Sequence, residues 1–128
     1  EATAGAPVPL PENGYLISHP LGTLYIEPHG FLDKKVSSRK LDCVITPVVD
    51  LKLPLVGAFI KGKTVLPELV ERFQPKTILS STIGGDATFS GLLGGLISME
   101  GNPDKAPENL NEGTKFVNPS PGKRYILD

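Results

Sequence analysis

Glycine and proline punctuate this chain, 14 and 13 of them in 128 residues, and only residues 31–46 form a long run without either. Proline lacks the N–H that a helix interior or a central strand requires, and each glycine costs a helix about 1 kcal/mol against alanine. Whatever core forms must therefore be assembled from short elements joined by many turns. The two residue types make up about a fifth of the chain, short of the range that marks disorder. With 39% hydrophobic and 21% charged residues, the chain reads as a soluble globular domain of a size suited to one core.

Several functions are excluded early. A net charge of -1 leaves no electrostatic footprint for sequence-independent binding to nucleic acid. One cysteine and two histidines allow neither an internal disulfide nor a zinc site built on several thiolates. No apolar run approaches the ~20 residues of a membrane span. Residues 2–11 are small and proline-broken, without the basic and apolar regions of a secretory signal. With Glu1 in place of an initiator methionine, the chain reads as the second part of a larger domain.

Turn signals delimit the elements. Asn13-Gly14 precedes a strand at Tyr15-Leu16-Ile17, and Pro20-Leu21-Gly22 separates it from a second at Thr23 to Glu27, predicting a hairpin. Residues 31–41 are basic and polar, a loop or a poor helix on the surface. Cys43-Val44-Ile45 is a short apolar strand of the kind buried on both faces. Residues 50–62 are apolar but broken by Asp50, Lys52, Pro54 and Gly57, and read as an apolar loop or insertion. Within it Leu53, Leu55, Val56, Phe59 and Ile60 are candidates for contact with a partner or a membrane surface.

Residues 64–73 form the first clear helix. Leu66, Leu69, Val70 and Phe73 recur at helical spacing, Thr64 is a plausible cap, and Glu68 and Arg72 pair on the exposed side. Thr77-Ile78-Leu79 is the next strand. A second helix is predicted from the stripe Phe89, Leu92, Leu93, Leu96 and Ile97, capped by Asp86 or Thr88. Residues 101–122 are polar and loosely structured, and Tyr125-Ile126-Leu127 adds an edge strand. The order predicts an α/β fold: a small mixed sheet with helices on one face.

Ligand-type residues cluster locally only at Glu27-Pro28-His29. Side chains two apart on an extended chain share a face, so Glu27 and His29 are the candidate metal ligands, and Asp50 and Asp86 could join them at one sheet edge. Zinc takes three or four protein ligands, and the pair alone fits local backbone hydrogen bonding as well. Gly84-Gly85-Asp86 lacks the lysine of a phosphate loop and reads as a helix cap. Ser80-Ser81-Thr82 offers hydroxyls with no histidine at a recognisable distance. Cys43 sits in an apolar strand, where a thiol packs rather than reacts.

Several segments, in order, carry a resemblance. Ala2-Thr3-Ala4-Gly5-Ala6-Pro7-Val8-Pro9, Glu12-Asn13-Gly14-Tyr15-Leu16, Leu24-Tyr25-Ile26-Glu27-Pro28-His29-Gly30, Val44-Ile45-Thr46-Pro47, Leu53-Pro54-Leu55-Val56-Gly57, Ile60-Lys61-Gly62 and Gly84-Gly85-Asp86 together resemble the second half of a metallo-β-lactamase-fold protein. The subgroup resembled occurs in cyanobacteria and plastid-bearing eukaryotes. The resemblance implies half of an αβ/βα sandwich across residues 1–128, with a metal site where two such halves meet.

It also implies missing parts. No His-x-His-x-Asp-His motif is present. The loop histidine of the second half falls on Ala6, its aspartate falls within Glu27-Pro28-His29, and its late histidine falls near Ser81 or Thr82. A metal-bound hydroxide, the usual nucleophile of that fold, depends on such ligands. The expectation is a degenerate, non-catalytic module acting as a binding or structural subunit. Its partner would be a protein: a missing first half, a second copy or a larger assembly, with possible peripheral membrane contact. By the same resemblance it would work in a plastid, chloroplast or cyanobacterial cell, in a photosynthetic membrane complex. The alternative is a metal-dependent hydrolase, holding zinc or iron, whose first half lies outside this chain.

Overall fold

Short apolar runs, each stopped by proline, glycine or a polar turn, become the strands of a mixed sheet. The computed structural model describes residues 14–32, 35–81 and 95–127. Strands β1 (Tyr15–His19) and β2 (Gly22–Ile26) form the antiparallel hairpin read from the sequence. Strand β3 (Cys43–Thr46) runs parallel to β2. Strands β4 (Asp50–Leu53) and β5 (Gly57–Lys61) lead into helix α1 (Gly62–Phe73), and β6 (Thr77–Ser80) returns parallel to β3. After β7 (Ser98–Glu100) and a 3₁₀ helix (Pro103–Asn109), β8 (Lys115–Val117) lies parallel to β6. The large sheet has the order β1-β2-β3-β6-β8, and a second, antiparallel sheet has the order β5-β4-β7. The fold is α/β.

Helix α1 buries the predicted stripe Leu66, Leu69, Val70 and Phe73. It starts at Gly62 rather than behind Thr64. Thr64 is not the cap but is itself held, donating its backbone N–H to Asp50 Oδ1 at 3.0 Å and its hydroxyl to Asp50 Oδ2. Asp50 thus satisfies an N-terminal amide that lacks a partner within the helix. Gln74 ends α1 in the left-handed region (φ 38°), its N–H donating to Val70 O, and Pro75 follows. Glu68 and Arg72 approach to 3.9 Å, one turn apart.

Three sequence expectations change. Residues 50–62 are not a loop but mainly a hairpin, β4–β5, with Pro54-Leu55-Val56 at its tip. The charges that argued against a strand are absorbed: Asp50 caps α1, and Lys52 pairs with Glu100 across β4–β7 at 2.9 Å. The segment 101–122 holds the 3₁₀ helix and β8, and the edge strand lies there rather than at Tyr125-Ile126-Leu127. Tyr125 instead closes a turn, accepting at its hydroxyl from the N–H of Ser120. The second helix falls largely outside the described residues, and so do Gly84-Gly85-Asp86. Its described end is not helical: Gly95 and Leu96 form a turn and Ser98 opens β7.

Both hydrophobic core clusters lie on the α1 side of the large sheet. Tyr25, Val44 and Ile78 occupy one register row and are buried to 1%, 0% and 0% exposure. They pack with Leu69, Phe73, Val70 and Leu66 of α1, and with Val49 and Leu51 from the second sheet and its approach. The Tyr25 and Phe73 rings lie 5.2 Å apart.

Candidate functional site

Parallel strands deliver their carboxyl ends to one edge, where ligands of open α/β sheets usually bind. Here Glu27, the residue after β2, and Thr46 and Ser80, which end β3 and β6, are aligned by register and each buried. Glu27 is 2% exposed. Its Oε2 accepts from the Tyr25 hydroxyl at 2.9 Å and its Oε1 from the His29 N–H at 3.3 Å. Tyr25 and Glu27, two apart on an extended segment, share a face, and this brings the hydroxyl to the carboxylate. Gly14 covers the pair, since a Cβ there would stand 2.8 Å from the Tyr25 hydroxyl.

Around this edge three backbone segments cross at close range. Lys61 N–H donates to His29 O, and Gly62 N–H to Val49 O. Gly30, at φ +76°, faces Gly62 so closely that a Cβ would stand 2.7 Å from its nitrogen. A Cβ on Gly62 would stand 2.2 Å from Pro47 O. Both glycines stood in the sequence within the segments that carry the resemblance, where nothing local signals the close backbone approach each permits.

The predicted metal ligands are adjacent but differently engaged. Both oxygens of Glu27 already accept hydrogen bonds, whereas His29 Nδ1 is buried without a partner among the described residues. Asp50 is committed to Thr64, and Asp86, Ala6 and Thr82 lie outside the described residues. Ser81 is exposed. Among the described residues no three His, Cys, Asp or Glu side chains gather as a metal would need. Two candidate donors do not match the three or four that zinc takes. Burial pushes the Cys43 thiol up to about 11, reinforced by the charge of Asp42. This is a packing thiol, not a nucleophile.

The five partner-contact candidates separate into two groups. Phe59 and Ile60 pack on the core, and Leu53 is half-buried, but Leu55 and Val56 project from the hairpin tip. Leu55 is fully exposed and holds φ +67°, a conformation costing a non-glycine residue about 1–2 kcal/mol. Leu55→Asn is expected to raise the unfolding free energy by about 1 kcal/mol in urea titration. An unchanged or lower value would show that the tip carries no such strain.

A larger apolar surface lies on the sheet itself. Because strand side chains alternate between faces, Leu24, Ile26, Ile45, Leu79 and Val117, with the buried Cys43 and Thr77 among them, point away from the row of Tyr25, Val44, Ile78 and the half-buried Phe116. On β1, Tyr15 and Ile17 continue this face and are 57% and 50% exposed. The five named first are half-buried, and none belongs to either core cluster. Lys115 brings a charge to this face at its β8 border, in register with Thr77. Sequence reading gave helices on one face but no residue-by-residue assignment to it, because Cys43-Val44-Ile45 is apolar at every position. Comparison with known protein families, curated proteins and solved structures returns no match for this chain.

Proposed function

We propose that this chain is a binding module, a degenerate half-sandwich of the metallo-β-lactamase type, whose apolar sheet face docks on the complementary sheet face of a first-half polypeptide. The carrying observation is the row Leu24, Ile26, Ile45, Leu79 and Val117, set opposite the only helix-packed face among the described residues. Sheets stack about 10 Å apart through such rows. A nearly uncharged surface suits another sheet better than an anionic lipid or nucleic acid, which basic residues would mark. The exposed tip at Leu55 and Val56 is a secondary contact. On the sequence resemblance alone, the assembly belongs to a photosynthetic compartment.

A metal-dependent hydrolase completed by a first half is the second reading, favoured by the buried, unpartnered His29 Nδ1 beside Glu27. Metal bound by the joined halves and lost with Glu27→Gln and His29→Ala would select it.

Without its partner, the chain is expected to pair with a second copy through the same face. In sedimentation velocity it should form a dimer in the micromolar range. Ile26→Lys with Ile45→Lys should weaken that dimer roughly a hundredfold, since each places a charge in a desolvated contact worth about 1.4 kcal/mol or more. Far-UV circular dichroism should not change. A chain monomeric at all concentrations, or a dimer indifferent to both substitutions, would overturn the proposal.

A further inference from the structure

We infer that the groove between the start of α1 and the 3₁₀ helix binds a small apolar monoanion, a carboxylate or sulfonate on an aliphatic or aromatic body. This site is on the α1 side of the large sheet and stands independently of the docking face. The groove has a volume of about 540 Å³, within the span of small-molecule sites. Its floor is apolar: Val48, Leu66 and Ala106 line it and are 3%, 6% and 5% exposed. Lys63 and Lys105 stand at its rim, and neither ammonium pairs with an acid among the described residues.

The rim is shaped by its neighbours. Gly101 holds φ +107°, and a Cβ there would stand 3.3 Å from Lys63 Cδ and 3.4 Å from Val48 O. Glycine is therefore what lets the lysine stem lie against the backbone at the groove wall. Asn102 also lines the groove, and its Oδ1 accepts from Asp104 N–H at 2.9 Å, which leaves its amide N–H groups as donors. Glu108 supplies negative charge to the same wall. Two ammonium groups against one carboxylate favour a single negative charge over a polyphosphate, and the apolar floor favours a hydrocarbon body over a sugar.

Octanoate is the probe and octan-1-ol its uncharged counterpart, each titrated into the full chain and followed by amide chemical shifts. Octanoate should shift the amides of Lys63, Gly101, Asn102 and Ala106 saturably. The alcohol should bind roughly tenfold more weakly, and Lys63→Glu with Lys105→Glu should weaken octanoate roughly tenfold or more. Both lysines are exposed, so the variant is expected to fold, as its unshifted core amides would verify. Absence of saturable shifts, shifts confined to the sheet face, or equal octanoate affinity in the variant would each overturn the inference.

Discussion

Gly62→Ala is expected to cost the fold about 3 kcal/mol or more, a large share of the stability of a domain this size. Intrinsic preference points the other way: alanine is the better helix former by about 1 kcal/mol, and Gly62 is the first residue of α1. Sterics decide the sign. The added Cβ would stand 2.2 Å from Pro47 O, 2.3 Å from Pro47 C and 2.7 Å from Val48 N, all backbone atoms that no rotamer change can move. Relief requires pulling α1 from the β3–β4 connection, which breaks the Gly62 N–H to Val49 O bond and shifts Asp50 from Thr64. Urea unfolding measures the loss. Stability equal to or above that of the native chain would mean that the three segments do not cross as closely as described.

Glu27→Leu is the second large effect, expected at about 2–3 kcal/mol. The substitution removes the carboxylate that receives the Tyr25 hydroxyl in a site only 2% exposed. A buried donor deprived of its acceptor costs more than the bond contributed when made. Glu27→Gln retains an acceptor and should cost no more than about 1 kcal/mol. Adding Tyr25→Phe to Glu27→Leu should recover part of the loss, because the hydroxyl that lacked its carboxylate is then gone. Strict additivity of the two substitutions would show that the hydroxyl and carboxylate are not coupled.

The sequence announced those elements whose own pattern specifies them. Helix α1 carried its stripe at Leu66, Leu69, Val70 and Phe73, and the β1–β2 hairpin carried Pro20 and Gly22 at its turn. The β4–β5 hairpin was hidden because its alternation is broken by a register shift between Leu51 and Lys52. The charges of β4, Asp50 and Lys52, are met by Thr64 and Glu100, distant in sequence. Strand β8 was hidden for a different reason: Lys115-Phe116-Val117 is too short to show a period, and its place is set by pairing with β6.

The site divides similarly. Glu27-Pro28-His29 was visible as a cluster, but the burial of Glu27 depends on Gly14, and its environment on Gly30 and Gly62, whose roles appear only where chains cross. The two faces of the large sheet were the least legible feature. Val44 with Ile45, and Ile78 with Leu79, are chemically alike as neighbours. Only the placement of α1 tells which of each pair enters the core.

Those two pairs also offer the most direct test of the central claim. Methyl groups of Val44, Ile45, Ile78 and Leu79 in the isolated chain, diluted below the range in which it pairs with a second copy, can be compared for relaxation by a soluble, uncharged paramagnet. Relaxation is expected to be severalfold stronger at Ile45 and Leu79 than at the residue preceding each, with Ile17 stronger still. Uniform protection of all four would mean that both sides of the large sheet are already covered, and a face awaiting a partner would not exist.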